Sequence, residues 1–211
     1  MLDAARDRGL TVRAIGGVAV GLRCPSAARE YKDLDVACLS QERREVDALF
    51  VELGYVADEE FNLLQGHRRL LHHDTVNSRR LDTFVDRFEM CHSLDLRDRL
   101  ALDELTLTPA DLMLTKLQVV ETGERDLQDL AALLRDAEID DARVAEVCAA
   151  DWGWWRTATG TLEKLERYEP SLAPRIVQLR TRIDAAPKGL GWRARAKVGD
   201  RVRWYEEPEE D

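Results

Sequence analysis

No stretch of this sequence approaches the roughly 20 consecutive apolar residues that a membrane-spanning helix requires. The longest apolar runs, such as Val18 to Leu22, stop far short, so no membrane partner is expected. A leader is lacking too: the opening MLDAARDRG is charged throughout and has no apolar core, which leaves a cytoplasmic chain as the expectation. Cysteine is scarce and scattered, at Cys24, Cys38, Cys91 and Cys148. With no CxxC pair and no paired histidines at zinc-ligand spacing, a zinc ribbon and a redox motif are both excluded, and reduced thiols are the simplest account. Positive charge is in deficit, with 31 Lys and Arg against 41 Asp and Glu and a formal net charge of −10. That balance disfavours broad binding to a polyanion, which needs a positive contact surface, and with no identifiable recognition helix it argues against a DNA-binding regulator. GxxxxGK[ST] is absent as well, which removes the P-loop ATPases.

What is present is a globular balance, 45% hydrophobic and 34% charged over 211 residues, enough for one ordinary domain with an appended module. Residues 2–9 read as a short helix closed by Gly9, and TVRAIGG as a strand running into a Gly-Gly turn. Val18 to Arg23 begins a helix that Cys24-Pro25 breaks. KDLDVACL alternates Asp33, Asp35 and Ala37 with Leu34, Val36 and Cys38, the period of a strand with one core face. Val46, Leu49, Phe50 and Leu53 have helical spacing that ends at Gly54. Phe61 to Leu71 and Arg80 to Val85 both read as strands, antiparallel across the turn DTVNS. Thr108-Pro109-Ala110-Asp111 is a helix start, and the chain is mostly helical from there to about Leu179, with Leu112, Leu117, Leu127, Leu130, Leu133 and Leu134 as the buried stripe. These segments predict an α/β chain of the α+β kind, divided at 1–108, 109–186 and a charged tail of weak structure over 187–211.

The chemistry concentrates in KDLDV, shortly after Gly16-Gly17. Aspartates at i and i+2 of a strand project from one face roughly 7 Å apart, close enough to share cations spaced ~3.5–4 Å in two-metal sites. Asp82, in RLDTF, is the natural third carboxylate from a neighbouring strand, whereas Asp86 lies on the same face too far along. A single strand aspartate is most often a solvated edge residue; three acidic positions of this kind, two on one strand face just after Gly-Gly, point to a cation site. Gly16 and Gly17 offer unhindered backbone N–H groups beside a helix start, where phosphate oxygens bind, although Gly-Gly alone is more often a plain turn.

The order of Gly-Gly, DLD and a later strand aspartate resembles the nucleotidyltransferase superfamily of small polymerase-β-like transferases, carried by Ile15, Gly16, Gly17, Asp33, Leu34 and Asp35. The resemblance implies a nucleotidyltransferase fold, a mixed and largely antiparallel sheet flanked by helices with a C-terminal helical module. It also implies Mg²⁺ or Mn²⁺ on Asp33, Asp35 and Asp82, an NTP as substrate, and Lys32 beside the nucleotide. TKLQVVETGERDLQDLAALL is similar to the Lys-to-RDxxDL element of the AbiEii-type branch, which contains toxins of toxin–antitoxin pairs; Lys116, Arg125, Asp126 and Asp129 carry the match. By that resemblance Lys116 contacts nucleotide phosphates, Asp126 or Asp129 helps position Lys116 or the substrate, the acceptor is a hydroxyl of RNA, a protein or a small molecule, with RNA or protein favoured, and an antitoxin is a possible partner. Two departures bear on this: the spacer before Asp33 is long, and position 17 is Gly where many relatives have Ser. The superfamily also contains inactive members, so a silent nucleotide- or protein-binding module is the competing expectation.

Three other features stand apart. His67, Arg68, Arg69, His72, His73, Arg79 and Arg80 form a basic stretch beside Asp82, suited to a triphosphate or a nucleic-acid acceptor or, more plainly, to an exposed hairpin of mixed charge. Trp152, Trp154 and Trp155 invite base stacking, but a Trp cluster in a helical module more often forms core. Arg193, Arg195, Lys197, Arg201, Arg203, Trp204 and Tyr205 would suit RNA, were they not followed by an acidic end.

Overall fold

The computed structural model describes residues 1–27 and 29–207, and the chain divides into two compact units. The first comprises Met1–Leu22, Ala28–Phe88 and Leu94–Thr108; the second comprises Arg23–Ala27, Glu89–Ser93 and Pro109–Asp211. The division is therefore more interleaved than one cut at 108, because two short excursions leave the first unit for the second.

The first unit is α+β. Its elements run α1 (Leu2–Asp7), β1 (Val12–Ile15), α2 (Gly16–Arg23), β2 (Asp33–Cys38), α3 (Arg43–Glu52), β3 (Val56–Ala57), α4 (Glu59–Gln65), β4 (Arg69–Asp74) and β5 (Arg79–Val85). Two short strands follow, β6 (Arg87–Glu89) and β7 (Ser93–Asp95), as a separate pair. The main sheet has the order β1-β2-β5-β4-β3, antiparallel throughout except for the parallel pairing of β2 with β5. Alternation along the strands gives the sheet two unlike faces. One face presents Val12, Val36, Cys38, Leu81 and Val85 to Ala5 of α1 and to Val46, Leu49 and Phe50 of α3, forming a closed apolar core. The other face carries the aspartates.

The segment from Phe61 to Leu71, expected as one strand, is not one. Its first part is α4, because Asp58 accepts a hydrogen bond from Phe61 N at 3.0 Å and Glu59 and Glu60 fill the first turn, where negative charge suits the helix dipole. Strand β4 begins only at Arg69 and then pairs with β5 around the expected turn.

The second unit is built of α5 (Pro109–Leu117), α6 (Glu124–Asp136), α7 (Asp141–Ala150), α8 (Trp152–Tyr168), α9 (Ala173–Ala185) and α10 (Leu190–Val198). Asp140 and Asp151 cap α7 and α8 through the backbone N–H groups of Ala142, Arg143 and Trp154. Among the described residues no helix is long and apolar enough to cross a membrane.

The stretch read as a weakly structured tail is instead pinned to this unit, up to residue 207; the last acidic residues lie outside the described ones. Trp192 Nε1 donates to Cys148 O at 3.1 Å, Arg195 stacks 4.6 Å over the Trp152 ring, and Trp204 Nε1 donates to Thr157 Oγ1 at 3.0 Å. Aromatic area and satisfied indole N–H groups hold the segment where its charge alone would leave it solvated. Trp152 and Trp154 are buried, so this cluster is core.

His92 lies in the same cluster, with Nε2 at 2.9 Å from Thr157 Oγ1 and its ring 5.2 Å from that of Trp154. Burial lowers its pKa from 6.5 to about 4, with Asp151 opposing only in part. The unfolded chain takes up this proton below pH 6.5 and the folded chain only near 4, so the stability contributed by neutral His92 is complete above 6.5 and declines as pH falls toward 4. Melting temperatures recorded from pH 7 to pH 4 are expected to fall less steeply for His92→Gln than for the wild type; parallel curves would refute the assignment.

Candidate functional site

Strand register brings the predicted carboxylates of the first unit to one sheet face. Asp35 is the direct partner of Asp82 across the parallel β2–β5 pair, and Asp33, two residues before Asp35, is the partner of Arg80. The three differ in surroundings. Asp33 is exposed, Asp35 is half-buried and Asp82 is buried. Asp86, the alternative, lies beyond the end of β5 with φ of 62° and accepts from Ser40 N at 2.8 Å. Lys32 is exposed immediately before β2.

Gly16 is required at its position for two reasons. Its φ is +63°, where L side chains are strained, and a Cβ there would overlap Asp35 Oδ2. The Asp35 carboxylate thus lies against the first residue of α2, at the helix end that favours negative charge. Tyr31 lies along the same helix: a Cβ at Gly17 would come within 3.1 Å of its ring, and Gly21 leaves room for its hydroxyl end. The Arg29 guanidinium stacks 4.8 Å over the Tyr31 ring and also borders Gly17. Gly16→Ala is expected to cost roughly 1–3 kcal/mol from backbone strain and displacement of Asp35. Gly9→Ala, at φ +72° with nothing within 4 Å, tests the strain alone and should cost less in urea unfolding. Equal losses would show that the Asp35 contact is unimportant.

Asp82 carries a clamp that the sequence did not announce. Arg69 Nε donates to Oδ1 at 2.8 Å, with Nη2 at 2.7 Å, and Arg80 Nε donates to Oδ2 at 2.7 Å. Two residues of the basic stretch, suited to phosphates or more plainly to an exposed hairpin, are thus ion-paired to the third aspartate. His72 points to the opposite face, fully buried, with Nε2 at 2.9 Å from Asp47 Oδ1 and its ring edge-on to Phe50. Carboxylate oxygens are the donors that Mg²⁺ and Mn²⁺ prefer, and Asp33 and Asp35 are donors of that chemical kind. Asp82, with both oxygens engaged, does not fit in the same way. Among the described residues no group of three His, Cys, Asp or Glu side chains is arranged to hold a metal.

Lys116, Asp126 and Asp129 belong to the second unit and meet one another. Lys116 Nζ is 2.8 Å from Asp126 Oδ1 and 3.1 Å from Asp129 Oδ2, with Asp129 fully buried. Burial works against the ammonium, but the two carboxylates outweigh it and raise its pKa above the usual value. Asp126 also accepts from Gly123 N at 3.2 Å, fastening the start of α6. The triad therefore stabilises this unit in its own right, and Arg125 beside it is exposed. Lys116→Met should destabilise the chain by about 3–5 kcal/mol, since it strands two carboxylates. A loss under about 1 kcal/mol in chemical denaturation would mean that the triad contributes little to folding.

No protein-family model matches the sequence, and no curated protein matches it. Among solved structures, the chain is similar to the antibiotic-resistance factor ANT(2'')-Ia, with a TM-score of 0.44 and 16% identity over 85% of this chain and 91% of that one.

Proposed function

We propose that this chain is a metal-dependent nucleotidyltransferase that moves a nucleoside monophosphate from an NTP to an acceptor hydroxyl. One observation carries the reading: Asp33 and Asp35 share a sheet face with Asp82, and the middle one of the three, Asp35, lies against the N-terminal glycine of α2. Asp33 and Asp35 would hold Mg²⁺ or Mn²⁺, which when bound polarises phosphate oxygens and lowers the pKa of an acceptor hydroxyl. The backbone N–H groups at Gly16 and Gly17 and the side chain of Lys32 would orient the phosphates. The acceptor is a hydroxyl of RNA, a protein or a small molecule. The resemblance of the Lys116 to Asp129 segment to AbiEii-type toxins favours RNA or protein, with an antitoxin as partner.

Incubation with each labelled NTP, Mg²⁺ or Mn²⁺, and total RNA or protein should give labelled product, and Asp33→Asn or Asp35→Asn should reduce it by about two orders of magnitude or more. Equal labelling by wild type and variants, or none by either, would defeat the proposal. A silent nucleotide-binding module is the second reading, and the engagement of both Asp82 oxygens by arginines is the observation in its favour. It predicts a rise in melting temperature with Mg²⁺ and NTP, by mass action on the folded state, without transfer of label.

A further inference from the structure

We infer that Asp82 serves this chain as an anchor for arginines rather than as a cation ligand, and that Arg80, held beside Asp33, contacts the phosphates of the nucleotide. The inference rests on the nucleotidyl-transfer reading of Asp33 and Asp35 and adds to it the identity of the phosphate contact.

The commitment of Asp82 is geometric. A carboxylate has two oxygens and about four lone-pair directions. Here Oδ1 accepts from Arg69 Nε at 2.8 Å and from Arg80 Nη2 at 3.4 Å, with Arg69 Nη2 at 2.7 Å, while Oδ2 accepts from Arg80 Nε at 2.7 Å. The Asp82 side chain is 5% exposed, so these bonds are shielded from the water that would otherwise compete for them. Arg69 is fixed from outside the ion pair as well. Its guanidinium carbon lies 5.7 Å from the ring centre of Phe61 and 5.2 Å from that of Phe84. Arginine does not lose its charge by deprotonation, so a divalent cation on Asp82 would stand against two permanent positive charges or expel both. Opening a buried pair by removing one partner is among the costlier changes to a folded chain.

Arg80 is the more accessible arm of the clamp, with its side chain 27% exposed against 17% for Arg69. Register makes it the cross-strand partner of Asp33, the exposed aspartate of the pair assigned to the cation. An anchored guanidinium there has the flat, forked donor geometry that matches phosphate oxygens, and Asp82 takes up the rotamer freedom that an unanchored arginine would lose on binding. The positive charge that a second cation would bring to this face is already supplied by the two arginines.

The test uses the full chain, Mn²⁺ and an α,β-methylene NTP analogue, with free Mn²⁺ followed by electron paramagnetic resonance. One Mn²⁺ per chain is expected in the ternary complex. Arg80→Gln should weaken the analogue about tenfold or more while leaving Mn²⁺ affinity without nucleotide within about threefold. Asp82→Asn should behave like Arg80→Gln, whereas Asp35→Asn should abolish Mn²⁺ uptake. Two Mn²⁺ on the wild type and one on Asp82→Asn would overturn the inference while leaving nucleotidyl transfer intact, and so would unchanged analogue affinity in Arg80→Gln. If Asp82→Asn does not fold, Arg80→Gln and the wild-type stoichiometry decide alone. Failure of the wild type to take up either Mn²⁺ or analogue would instead remove the nucleotide reading itself, and this inference with it.

Discussion

The parallel pairing of β2 with β5, inside a sheet that is otherwise antiparallel, is the constraint on which the rest of the first unit depends. Leu34, Val36, Cys38, Leu81 and Val85 alternate with Asp33, Asp35 and Asp82 along these two strands. A slip of one residue would carry the acidic set into the apolar core and the aliphatic set into the polar face. Burying an aliphatic side chain contributes about 1.5–3 kcal/mol, while an unpaired carboxylate in the same place costs several kcal/mol. Register is therefore enforced from beneath: the packing of α1 and α3 on one face fixes which carboxylates meet on the other.

Each of the three aspartates answers the cost of its position differently. Asp33 stays exposed. Asp35 lies against Gly16, at the helix end that favours negative charge, and the left-handed backbone there lets the chain approach so closely. Asp82, the most buried, takes two arginines. Identical residue types on one face are thus unequal in surroundings, with Asp33 exposed, Asp35 against the start of a helix and Asp82 compensated by two arginines.

What the sequence made legible was local. The alternation in KDLDV and RLDTF needs only neighbouring residues, and it placed both segments on strands with the aspartates to one side. Pro109 at the first position of α5 is equally local. The start of α4 was legible too, in Asp58 followed by Glu59 and Glu60, but the apolar residues after Phe61 drew the reading toward a strand. Arg69 and Arg80 looked like a surface basic stretch, because nothing in the sequence says that β4 and β5 turn both toward Asp82. The same holds for Trp192, Arg195 and Trp204, whose partners Cys148, Trp152 and Thr157 lie far back in the chain. The resemblance already set an aspartate beside Lys116, but not that both Asp126 and Asp129 close on it as a buried triad.

The charge on the aspartate face bears on how ligands would arrive. Three bare carboxylates would concentrate free divalent cations and repel a triphosphate; three carboxylates with two fixed guanidinium groups do neither strongly. A face so compensated is better matched to a cation already bound to its nucleotide, whose metal would meet Asp33 and Asp35 and whose phosphate oxygens would meet Arg80 under the reading proposed above. On that view the acidic balance of the whole chain is no obstacle to binding an anionic substrate. The long-range repulsion it creates falls off within about a Debye length, and the local contacts are made by side chains whose positions the sheet has already set.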